Sequence, residues 1–119
     1  MKNYIRTGNT MPIVAPLGGV ETGQPVLVGD IVGVAAVAAQ EGAATEVHIE
    51  GVFDLPKVAD DIDQGALVYF DATAGNFTTD PADNAPAGIA FRAAVALDGT
   101  VQVKLTPGAG FRVELTEAP

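Results

Sequence analysis

Turn signals interrupt this chain faster than it can build a long element. Its 119 residues include 14 glycines and 8 prolines, and these punctuate short apolar runs such as Pro25–Val28, Ile31–Ala35, Leu67–Phe70 and Val101–Leu105. Glycine adopts backbone angles that other residues avoid, and proline removes a backbone donor. A chain broken this often by the two makes turns and short strands. Two runs also alternate strictly. In Thr45–Glu50, Val47 and Ile49 fall on one side, with Glu46, His48 and Glu50 on the other. In Val101–Leu105, Val101, Val103 and Leu105 share a face. A period of two marks a strand with one side in a core and the other in water.

Along the chain, residues 1–10 are polar, carry Gly8 and Asn9, and read as an arm that orders against a neighbour. Residues 11–119 then read as a single β domain. Met11–Val14 is a short strand whose Pro12 suits a sheet edge. Pro25–Val28 and Ile31–Ala35 form a hairpin around Gly29-Asp30. Ala36–Ala44 reads as a loop, with an alanine-rich helical turn as the second choice. Gly51 reads as a bulge, after which Val52 and Phe53 carry the preceding strand inward until Pro56 stops it. The acidic Val58–Gln64 has the makings of one helical turn.

Leu67–Phe70 joins β-branched and aromatic residues in a strand. It returns as Phe77–Thr79, and Gly88–Val95 is another strand, followed by the Asp98-Gly99 turn. Phe111–Leu115 alternates again; it adds a last strand or pairs with a neighbouring subunit. The total is about seven to nine short strands. The expected fold is all-β, a small β-sandwich or barrel.

Composition narrows the function. Apolar residues make up 48% of the chain, much of it alanine and valine, and tryptophan is absent. The core should therefore be thin. Six basic residues face fifteen acidic ones, a formal charge of −9. That field repels phosphate backbones and anionic membranes, which argues against nucleic acid and membrane as partners. Without cysteine there is neither a disulfide nor a thiolate metal site. The N-terminal residues hold no apolar signal run, and Ile31–Ala39 is too short to span a bilayer; the expected place of synthesis is a cytoplasm.

Catalytic parts are missing. There is no serine and no cysteine, no glycine-flanked nucleophile elbow, and no phosphate-binding Gly-x-x-x-x-Gly-Lys-Thr run. Asp60-Asp61-Ile62-Asp63-Gln64-Gly65 brings three carboxylates together as a calcium loop would, but lacks the later bidentate glutamate, so a solvated acidic turn is the default reading. His48, the one histidine, lies between Glu46 and Glu50. It reads as a solvated strand face or, packed against its own copies at a three-fold axis, as a pH-sensitive contact. Phe53, Leu55, Tyr69 and Phe70 read first as core. Alternation sets Tyr69 and Phe70 on opposite faces, which leaves one of them for an oligomer interface. No enzyme activity, metal or cofactor is expected.

One ordered set of segments carries a resemblance. Ala15–Val20 is followed by Gly23–Gly29, then Gly33–Ala35, then Glu50-Gly51-Val52-Phe53-Asp54-Leu55-Pro56-Lys57. Gly65–Asp71, Phe77–Thr79, Gly88–Ala90 and Val101–Leu105 complete it. From Met1 to about Leu105 the chain resembles the small capsid cement, or head-decoration, proteins of phages, and the Glu50–Lys57 segment carries most of the likeness. The resemblance implies a homotrimer on the outer capsid surface of the virion, made in the host cytoplasm, that clamps neighbouring subunits of the major capsid protein. An arm bearing Tyr4, Ile5 and Arg6 would then be a capsid anchor, able to add a strand to an exposed sheet edge. Weak contacts repeated over a shell sum by multivalency. The alternative is a small non-catalytic binding module, carbohydrate-binding or tail-associated, against which the few aromatics argue.

Overall fold

The computed structural model describes Asn3 and residues 5–107. Nine strands follow one another: β1 (Thr10–Val14), β2 (Pro25–Val28), β3 (Ile31–Ala35), β4 (Ala44–His48), β5 (Gly51–Pro56), β6 (Leu67–Asp71), β7 (Asn76–Thr78), β8 (Ala85–Ala90) and β9 (Thr100–Leu105). They form a four-stranded sheet in the order β1-β4-β3-β2 and a five-stranded sheet in the order β5-β9-β8-β6-β7. Named strand pairs are antiparallel throughout. The described residues contain no helix, and the fold is all-β.

Each sheet comes from one unbroken stretch of chain, so the polypeptide passes from the first layer to the second once, through Ile49 and Glu50. Among the described residues, no backbone or side-chain hydrogen bond joins the stretch before Gly51 to the stretch after it. What joins them is apolar. Val32 and Val34 of β3 pack with Leu55, Val68, Phe70, Phe77, Val101, Val103 and Leu105 of the larger sheet. A second cluster, with Ala15, Val20, Val26, Ala35 and Val47, lies on the other face of the smaller sheet, beneath its own loops. The smaller sheet is thus covered on both faces.

The larger sheet curls toward closure. A parallel bridge links Lys57 to Phe77, and the Val58 N–H donates to the Phe77 carbonyl at 3.0 Å. Phe77 is fully buried and its ring lies 4.9 Å from that of Phe70. A register shift at Val68/Tyr69 interrupts the β6–β8 pairing. This irregularity brings Ala85, Ala87 and Ala90 to the core despite their uneven spacing.

Three expectations need correction. The strand through Thr45–Glu50 does not run on through Gly51. At Gly51 φ is +117°, an angle that suits glycine, and the chain turns there into the other sheet, where Gly51 pairs with Leu105. Val58–Gln64 makes no helical turn; Ile62 is buried and forms a two-way backbone bridge with Ala94, at 2.8 and 2.9 Å. Burial of one apolar side chain and two interloop bonds hold this segment extended. The strand expected at Gly88–Val95 begins at Ala85 and ends at Ala90, because Phe91–Gly99 is drawn into a loop packed on residues 57–65. Pro12 does lie on an edge strand, since β1 flanks its sheet.

Candidate docking surface

The loop Phe91–Gly99 is held from several sides. The Lys57 ammonium is buried and donates to the carbonyls of Val58 at 2.8 Å, Val95 at 2.9 Å and Asp98 at 3.3 Å. Asp61 Oδ1 accepts from the Ala96 N–H at 2.7 Å, and Asp98 Oδ2 from the Val95 N–H at 2.9 Å. Gln64 Nε2 donates to the Phe91 carbonyl at 3.2 Å. So braced, the loop presents Phe91, Val95 and Leu97 to solvent, Leu97 at 97% exposure. Apolar side chains on a preorganised loop lose little conformational freedom on binding, which suits a docking element.

The outer face of the larger sheet adjoins this loop. The register sets Val52, Lys104, Ile89 and Leu67 in one row across β5, β9, β8 and β6. Asp54 and Gln102 form the next row, and the Phe91 N–H donates to the Gln102 carbonyl at 2.7 Å. The outer face of an antiparallel sheet is usually polar; here one row is mostly apolar.

The arm residues divide. Tyr4 lies outside the described residues. Ile5 is 84% exposed. Arg6 folds back on the smaller sheet, donating to Thr10 Oγ1 at 3.0 Å and pairing with Glu46 at 3.3 Å. Both partners are about half exposed, so the pair contributes little to stability. Phe111–Leu115 also lies outside the described residues.

The oligomer-interface candidates are placed as follows. Tyr69 and Phe70 do fall on opposite faces, but the single chain buries both, at 7% and 6% exposure. Phe70 is packed in the core, and Tyr69 stands between Thr78 and Pro86 in its row. Among the described residues the exposed aromatic is Phe91. His48 is half-buried, with its ring 5.5 Å from that of Phe53.

Asp61 spends a carboxylate oxygen on the Ala96 amide. No group of three His, Asp or Glu among the described residues is placed to hold a metal ion. An open hollow of about 640 Å³ beside Leu17, Val20 and Gln40 has Glu21 as its one ionisable side chain.

Sequence reading overlooked Lys57. It closes the Glu50–Lys57 segment, and a lysine directly after a strand-ending Leu-Pro was the available signal. It also missed Phe91 as a surface residue, because extending the strand to Val95 hid the loop.

The fold and surface define a small two-sheet β protein with a braced loop that exposes apolar side chains, a partly apolar sheet face and an exposed N-terminal segment. The sequence model for phage cement proteins matches residues 5–105, and the chain belongs to that family. No curated protein and no solved structure matches it.

Proposed function

We propose that this chain decorates the outside of a phage head and stabilises it by bridging neighbouring subunits of the major capsid protein, as a homotrimer and without catalysis. The observation that carries the reading is the family match over residues 5–105, which spans all nine strands. The surface supports it. Tyr4, Ile5 and Arg6 form the capsid-contacting arm, and Arg6 exchanges its exposed pair with Glu46 for a partner on the shell at small cost. His48, Tyr69 and Phe70 were the oligomer contacts expected from sequence; of these, half-buried His48 retains the most surface for a neighbour. The acidic remainder keeps decorated particles apart in solution.

Purified protein mixed with expanded, undecorated heads tests this. Binding should saturate at a fixed number of copies per capsid subunit, and decorated heads should survive heating or osmotic shock that bursts bare ones. Absence of saturable binding, or equal fragility with and without the protein, overturns the reading.

A further inference from the structure

We propose that the outer face of the five-stranded sheet joins one copy of this chain to the next, head to tail, by seating against an acidic surface of its neighbour. The proposal deepens the trimer in the reading above and rests on it.

The first observation is asymmetry between the two sheets. Loops of the chain itself cover the second face of the smaller sheet and bury a cluster there. The larger sheet buries Tyr69 on its outer face but leaves Val52 exposed at the β5 edge, and Val52, Ile89 and Leu67 share a row there. Val52 and, at the end of β8, Phe91 are exposed. A partly apolar row with an exposed aromatic beside it is a composition found in interface cores.

The second observation is charge. Copies with a formal charge of −9 repel one another. Self-association requires opposite charges to meet as well as apolar contact. Four cationic side chains belong to the described residues: Arg6, Lys57, Arg92 and Lys104. Arg6 is paired with Glu46, and Lys57 is buried against backbone carbonyls. Lys104 and Arg92 remain, both exposed and neither within ion-pair distance of a carboxylate among the described residues. Lys104 stands in the apolar row, flanked by Val52 and Ile89. Arg92 lines a hollow at the edge of the same face with Asp54, Asp98 and Gln102. The face also carries the carboxylates Asp54 on β5 and Asp71 on β6. Among the described residues it is nonetheless this surface that holds both unpaired cations, the groups able to meet an acidic copy.

The trimer of the reading above sets the symmetry. Copies around a three-fold axis meet head to tail, which sets the cations against another part of the neighbour, and a three-fold rotation closes such contacts into a ring. The acidic stretch Asp60–Asp63 supplies the opposite sign.

The test is sedimentation of the full-length chain carrying Lys104→Glu with Arg92→Glu, and separately Val52→Asp. Val14→Asp, at an exposed position of β1 on the other sheet, is the control. All four substituted positions are exposed, so circular dichroism and melting should match the parent. The parent and V14D should sediment as trimers, and the other two variants should assemble at least about tenfold more weakly, a loss of about 1.4 kcal/mol. A monomeric parent overturns the proposal, as do variants that stay trimeric. Variants that remain trimers but lose their grip on expanded heads overturn it too, by assigning the face to the shell. A trimer that the variants dissociate, in a parent that ignores heads, upholds the face and overturns the cement reading instead.

Discussion

The Lys57 ammonium lies 2.9 Å from the carbonyl oxygen of Val95, 38 residues further along the chain. That bond, with those to Val58 and Asp98, makes one buried cation the organiser of the whole β8–β9 loop. Replacing Lys57 with methionine keeps the apolar stem and removes the donors. The expected loss is about 1–3 kcal/mol, the cost of leaving buried polar groups unsatisfied. Urea unfolding measures it, and proteolysis should move to residues 91–99. An unchanged midpoint and cleavage pattern would mean that the loop is held by other contacts.

Phe77 and Phe91 should behave oppositely despite identical chemistry. Phe77 is fully buried against Phe70, whereas Phe91 faces water. Phe77→Ala should cost about 3–5 kcal/mol through the cavity it leaves. Phe91→Ala should cost less than about 0.5 kcal/mol. Paired thermal melts decide it, and similar losses would contradict the assigned core.

Gly88 has no room for a side chain: a β-carbon there would collide with the backbone carbonyl of Lys104 on β9. Backbone cannot swing aside as a flexible side chain can. Gly88→Val should therefore abolish the cooperative near-ultraviolet signal or give insoluble protein. A soluble variant with the parental melting temperature would disprove the β8–β9 register.

The arm predicts a separation of stability from binding. Thr10 already belongs to β1, opposite His48, and the Ile49 N–H donates to the Asn9 carbonyl at 3.0 Å. A clean deletion therefore ends at Thr7. Losing residues 1–7 removes the exposed Arg6–Glu46 pair and should change stability by no more than about 1 kcal/mol. Retention on expanded heads, measured by co-sedimentation, should fall. Undiminished retention would exclude the arm from the contact.

Where local pattern and tertiary role agreed, the fold was legible in the sequence. Val101, Val103 and Leu105 alternate, and all three are buried. Gly29-Asp30 joins β2 to β3 with Val28 opposite Ile31. The reading failed where a distant partner decided the outcome. Nothing local in Val58–Gln64 reveals that Ile62 will bridge Ala94, and nothing near Gly51 reveals that the chain changes sheets there. The docking features suffered most. Phe91 as an exposed residue and Lys57 as a loop organiser are both products of packing between segments far apart in sequence, while Tyr69, chosen by alternation, was buried by the same packing.

The two layers share an interior but, among the described residues, no hydrogen bond. Directional bonds resist sliding and tilting, whereas contact between hydrocarbon side chains is indifferent to small shifts and loses strength in the cold. Chilling should therefore loosen the seam between the layers before it unravels either sheet. Amide exchange near freezing would then rise first along β3 and β8, where the two halves touch. A protein built this way has a soft joint at its centre, able to give slightly under load.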